Sequence, residues 1–187
     1  MKPDRPCICI RSAARFAGAA VLLSLTFACS SSGPSWQMLY NAGDPFSIEA
    51  PGTPKVENID QNVPQLGGSV TGKQYSWETS SNHLYLAMYM SFPNPNGLAL
   101  DMKGAMKNMV AGVVSRAKGS ITSEKSLTMA GIEEGTETEI KMGTPQGTMR
   151  IRTAERNRTI YLLAFGWPEG REPVEDENRF FDSFHMK

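Results

Sequence analysis

Three groups of residues in this 187-residue chain are of types that do chemistry. Cysteines stand at Cys7, Cys9 and Cys29, with none from position 30 to 187. Acids gather as Glu133, Glu134, Glu137 and Glu139, and bases as Arg150, Arg152, Arg156 and Arg158. The histidines are His83 and His185. Four glutamates could surround a hard cation with oxygen ligands, the arginines could hold an anion, and a histidine could act as a general base. Each reading meets a simpler one. No Gly-x-Ser-x-Gly turn accompanies the histidines. Gly67-Gly68 lacks the lysine and helix start of a phosphate-binding loop. Two of the glutamates have arginine partners in the strand register argued below, which leaves a solvated strand face as the expectation for the cluster. The sequence therefore predicts no catalytic, cofactor-binding or metal-binding residues and no enzyme.

Composition narrows the field further. The chain is 40% hydrophobic and 20% charged, the makeup of a globular domain rather than a disordered, collagen-like or coiled-coil chain. Its 19 basic and 19 acidic residues cancel, without the basic excess that nucleic-acid binding uses. The N-terminal segment is different in character. Residues 1–15 carry Lys2, Arg5, Arg11 and Arg15 against Asp4, and residues 16–28 carry no charge. A basic segment, a short apolar stretch and a small residue form a signal-peptide pattern. Thirteen residues are too few to cross a hydrocarbon core of about 30 Å as a helix.

Leu25-Thr26-Phe27-Ala28-Cys29 resembles the bacterial lipobox, in which a small residue precedes a cysteine that receives a diacylglyceryl group. The resemblance implies a signal peptide over 1–28, lipid attachment at Cys29, and location in the bacterial cell envelope, tethered to a membrane and facing the periplasm or exterior. Two or more acyl chains make such attachment lasting. Ser30-Ser31-Ser32-Gly33-Pro34-Ser35 reads as a flexible spacer, so 29–35 is the tether and 36–187 the domain. Cys7 and Cys9 leave with the signal, and the domain must fold without a disulfide. Four bases and one acid leave too, so the remaining 15 bases and 18 acids carry a net charge of −3.

Period and punctuation place the elements. Trp36–Tyr40 and Phe46–Ile48 read as strands around a Gly-Asp-Pro turn, and 51–65, with Pro51, Pro54 and Pro64, as an irregular crossing. Ser69–Glu78 and His83–Phe92 read as a hairpin, its second strand apolar on both faces. Apolar residues from Leu98 to Lys118 recur every three or four positions and predict a helix of about six turns, stopped by Gly119. Residues 120–130, 132–142 and 148–155 alternate as strands. Setting Glu139 opposite Arg150 sets Glu137 opposite Arg152, Ile140 opposite Met149 and Thr138 opposite Ile151. A one-residue slip would mix charged and apolar partners. Residues 159–165 are apolar on both faces, hence a central strand, and 172–185 read as a helix docked by Val174, Phe181 and Phe184. The fold class is α+β: a mainly antiparallel sheet sandwiched by helices on both faces.

In that order the elements resemble the PsbP-like family. Phe46-Ser47-Ile48-Glu49-Ala50-Pro51 is similar to its opening strand and Pro turn, Asn157–Leu163 to its late central strand, and Arg179-Phe180-Phe181-Asp182-Ser183-Phe184 to its terminal helix. The resemblance covers 36–187 and implies an antiparallel sheet between helices. It implies no single activity and transfers no binding residue.

The expected role is a non-catalytic interaction or assembly-assisting module, anchored to the membrane through lipidated Cys29 and presenting loops Pro93–Gly97 and Gly166–Pro173 to an envelope protein partner. The alternative is a carrier of a small apolar ligand between the sheet and the 98–118 helix, where methionines are abundant. Methionine at such positions otherwise fills a core.

Overall fold

The computed structural model describes residues 35–94, 97, 99–128, 134–171 and 174–187. In chain order they form β1 (Trp36–Tyr40), β2 (Phe46–Pro51), β3 (Lys55–Val63), a 3₁₀ turn at Pro64–Leu66, β4 (Gly68–Glu78), β5 (Leu84–Ser91), α1 (Met102–Arg116), β6 (Ser120–Ser126), β7 (Glu134–Gly143), β8 (Gln146–Arg156), β9 (Thr159–Pro168), α2 (Val174–Asp182) and β10 (His185–Met186). Seven strands make one antiparallel sheet in the order β3-β4-β5-β9-β8-β7-β6, and β1-β2-β10 make a second.

β9 is the middle strand of the seven, and its residues from Ile160 to Trp167 are all buried. Its side chains alternate between two cores, as the period of a strand requires. Tyr161, Leu163, Phe165 and Trp167 join Tyr75, Trp77, Tyr85 and Ala87 of the large sheet, Phe46, Ile48 and Ala50 of β2, Phe180 and Phe181 of α2, and Phe184. Leu162 and Ala164 join Ile140, Met142, Met149, Ile151 and Val110 of α1. Cover on the first side is thus shared by a nine-residue helix and a separate three-stranded sheet. The expected antiparallel sheet is present, while the cover over its aromatic face comes from β1, β2 and β10, a separate sheet, beside α2.

Several boundaries move for identifiable reasons. The segment expected to be an irregular crossing contains the nine-residue β3, paired with β4 from Lys55↔Ser76 to Val63↔Gly68. It is an edge strand exposed along most of its length, so no apolar period announces it. Its partner β4 also pairs with β5, and at Gly72 a Cβ would lie 2.0 Å from the Tyr89 carbonyl oxygen; only glycine permits that approach. α1 begins at Met102 because the Asp101 carboxylate accepts from the Gly104 N–H at 2.8 Å, an N-cap. It ends with Ala117 as its cap, and the left-handed residue is Lys118 (φ 47°), not Gly119. The C-terminal helix stops at Asp182: the Ser183 hydroxyl donates to the Phe180 carbonyl at 3.0 Å and accepts from the Glu49 N–H at 2.9 Å. His185 and Met186 then pair with Ser47 and Phe46 as β10, so His185 belongs to a sheet.

The β7–β8 register is the one argued from charge. Glu139 faces Arg150, Glu137 faces Arg152, Ile140 faces Met149 and Thr138 faces Ile151.

Candidate functional site

The site worth building is the long groove beside α1. Met106 and Val110 are the buried residues of that helix. Met109, Val113, Val114 and Ala117 are only partly covered as they pack on the second core. The apolar stripe of α1 is therefore wider than the sheet surface beneath it. On the β6 side lies an open groove of about 760 Å³, lined by Met106, Val110 and Ala111 from the helix and by Ile121, Leu127, Thr136 and Thr138 from the sheet side. Lys103, Lys107 and Glu124 stand around it.

β6 positions the sheet wall through an irregularity. Ile121 pairs with Ile140, the register shifts, and Ser123 then pairs with Glu139 and Glu124 with Thr138. Cross-strand partners share a face, so Ile121 and Glu124 both project toward α1. Lys125 projects to the other face, where its ammonium meets Glu137 at 2.9 Å. The groove thus has a mixed floor, with Met106, Val110 and Ile121 beside Thr136 and Thr138, two lysines one helical turn apart on one wall, and one glutamate opposite. The middle of the helix–sheet interface is closed by Val110, Ile140, Met149, Ile151 and Leu162. Room for a ligand lies at the β6 edge of the helix–sheet interface.

The glutamate cluster is not a solvated face. Glu137 is 7% exposed and Glu177, from α2, 2%. Glu137 accepts from Arg152 at 2.7 Å and Lys125 at 2.9 Å. Arg150 donates to Glu139 at 3.1 Å and to Glu177. Arg152 lies 4.4 Å over the Phe181 ring. Burial pushes the Glu137 carboxyl up, but the bonds from Lys125 and Arg152 outweigh it and hold it below its ordinary value. For Glu177 burial prevails and its carboxyl lies above the ordinary range despite Arg150. Every charge here has a counter-charge, so the cluster docks α2 rather than holding a cation. Glu133 lies outside the described residues. Arg156 and Arg158 border the β8–β9 turn, where the Glu155 carboxylate accepts from the Arg158 N–H at 2.8 Å and Arg158 donates to the Pro93 carbonyl at 2.7 Å.

His83 sits just before β5, 8% exposed, its Nδ1 3.9 Å from Asp176 and its ring edge-on to Phe165. Burial holds its pKa below the ordinary value, against the pull of Asp176. A second buried acid, Asp44, was not marked by any sequence pattern. Its carboxylate accepts from Tyr75 at 2.5 Å, Asn41 at 2.8 Å, Lys73 at 2.9 Å and Tyr89 at 3.3 Å. Burial pushes that acid up, yet the bonds from Tyr75, Lys73 and Asn41 hold it below its ordinary value. The Tyr75 hydroxyl is pushed up to about 12 by burial and by Asp44. With four donors satisfied, this site ties the β1–β2 turn to β4 and β5.

Among the described residues no group of three His, Cys, Asp or Glu could hold a metal ion, and no helix is long and apolar enough to cross a membrane. Cys29 lies outside the described residues, as do parts of both expected contact loops. Gly166, Trp167 and Pro168 belong to β9, with Trp167 buried, which reduces the second loop's described surface to Glu169–Arg171.

No family model and no curated protein sequence matches the chain. Among solved structures it is similar to the solution structure of cyanobacterial PsbP (CyanoP) from Synechocystis sp. PCC 6803, with a TM-score of 0.52 and 11% identity over 86% of this chain and 98% of that one. That likeness establishes the PsbP-like fold and leaves activity to be argued from the site.

Proposed function

We propose that this chain is a non-catalytic, lipid-anchored protein of the bacterial envelope whose PsbP-like domain holds a small amphiphile in the groove between α1 and β6–β7. The groove itself carries the reading: about 760 Å³, open at the sheet edge, apolar along Met106, Val110 and Ile121. That volume is within the range of small-molecule sites. The apolar part of a ligand would lie along those three residues, and a negatively charged head would sit by Lys103 and Lys107. Each buried methylene is worth about 0.8 kcal/mol, so an acyl chain of about ten methylenes supplies about 8 kcal/mol before the cost of association. The lack of a Gly-x-Ser-x-Gly turn in the sequence and the pairing of Glu137 and Glu139 by bases support a binding role over catalysis. The groove is the stronger anchor for that role than the two loops, because Gly166, Trp167 and Pro168 of the second loop belong to β9.

A displacement assay on residues 36–187 with a fluorescent fatty acid tests it. The expected result is saturable binding that falls about tenfold or more, a change of at least ~1.4 kcal/mol, in Ala111→Trp, which fills the groove from an exposed helix position. Lys103→Glu with Lys107→Glu should weaken the fatty acid but not its uncharged alcohol. Binding that fails to saturate, or that Ala111→Trp leaves intact, overturns the reading.

A further inference from the structure

The outer face of β1 carries apolar surface that the described residues leave largely exposed. Leu39 turns inward, opposite the fully buried Ile48, while Met38 and Tyr40 turn outward and are 51% and 66% exposed. They are neighbours on one face of an edge strand, whereas the other large exposed apolar residues among those described, Val56, Leu84 and Ile121, lie on three different strands. Two cations frame the pair. The Lys187 ammonium lies 3.9 Å over the Tyr40 ring, and the Arg179 guanidinium 4.7 Å over the Trp36 ring. Lys187 also donates to the Asn41 carbonyl at 2.8 Å and the Asp44 carbonyl at 3.1 Å, and Arg179 to Glu49 at 2.7 Å. Both are thus fixed at the rim of the apolar pair. Aromatic rings with polar tips beside long-stemmed cations suit the boundary between hydrocarbon and headgroups, where the apolar body is buried and the charged end stays wet.

Chain length supplies the occupant. Trp36 is seven residues after Cys29, and seven residues reach at most about 25 Å even when fully extended. A lipid on Cys29 would therefore keep β1, before any other element, within that distance of the bilayer. We propose that the outer face of β1, with Met38 and Tyr40 at its centre and Arg179 and Lys187 at its rim, rests on the phospholipid surface in which Cys29 is anchored. The proposal rests on the lipoprotein reading. It fixes the orientation of the domain: α1, which packs on the opposite face of the seven-stranded sheet, is turned away from the contact and left accessible.

The test uses the full chain, purified after lipidation and reconstituted into vesicles of phosphatidylethanolamine and phosphatidylglycerol. In a Cys7→Ser, Cys9→Ser background, Met38→Cys, Tyr40→Cys and the α1 control Asn108→Cys each place a single free thiol for a nitroxide, because Cys29 is blocked by its lipid. Asn108 is exposed on the opposite side of the domain. Collision rates with oxygen, which partitions into lipid, and with a water-soluble nickel chelate are compared. Labels at 38 and 40 should collide severalfold less with nickel than the label at 108, and more with oxygen. Equal nickel access at all three positions overturns the proposal. So does shielding of 38 and 40 from both reagents, which would mean contact with protein, whether a second copy or another chain. Palmitate labelling of the same preparations reports the anchor separately. Label on Cys29 with water-exposed probes refutes the orientation alone, and no label on Cys29 refutes the tether and the orientation with it.

Discussion

At the scale of single residues, the buried titratable groups divide by whether their partners compensate their burial. Asp44 has four donors and stays ionised. His83 faces an aromatic ring on one side and Asp176 at 3.9 Å, too far for a hydrogen bond. Its folded pKa lies below the ordinary value of 6.5 because burial disfavours the charged ring. Between the folded value and 6.5 the unfolded chain then binds the extra proton, so stability is present above this window and is lost as pH falls through it. Urea unfolding midpoints should decrease from pH 7.5 to pH 5.5, and His83→Gln should remove most of that slope. A slope unchanged by the substitution would assign the effect elsewhere. Neither environment was readable in advance. His83 was legible only as a histidine in a strand, and Asp44 only as a turn residue before Pro45, because the groups that surround them come from β4, β5, β9 and α2.

At the scale of elements, the β7–β8 pair was legible down to its register. Alternating acids meet alternating bases on one face while apolar residues meet on the other, and a period of two allows one alignment. The cover over the charged face was not legible. Local alternation says that Glu137 and Arg150 share a side of the sheet, not that α2 will descend on them with Glu177. The energetic consequence is large, since the exchange of water for protein leaves each charge dependent on its partner. Arg150→Ala strands Glu177 and should cost about 3–5 kcal/mol. Glu177→Gln should cost less, about 1–2 kcal/mol, because burial already favours the neutral form of that carboxyl. Urea denaturation of both variants at pH 7 compares them, and equal losses would contradict this account. β3 shows the opposite case: it is an edge strand with mostly exposed residues, so its pattern does not distinguish it from loop except through its partner.

At the scale of the whole molecule, two sheets and two helices build two cores that share β9. No cysteine occurs after Cys29, so the domain depends on those cores and on backbone pairing without covalent help. Its thermal unfolding midpoint should be the same with and without reductant, and a drop of several degrees on reduction would require a cross-link involving the N-terminal cysteines. The same scale relates the two proposed surfaces. The groove lies along α1 and the β6 edge, and the proposed membrane contact on β1 of the other sheet, so ligand access and anchorage do not compete for the same residues.

The sequence by itself determined what depends on neighbours along the chain or across one hairpin: the central place of β9, the β7–β8 register, and an order of elements similar to a PsbP-like domain. These follow from hydrophobic period, turn residues and charge pairing, all of which act over short spans. Only the tertiary structure decided that β1, β2 and β10 form a separate sheet, that α2 covers the paired charges, and that α1 overhangs β6 to leave a groove. Those features arise where elements far apart in sequence meet, and shape complementarity between assembled surfaces sets them.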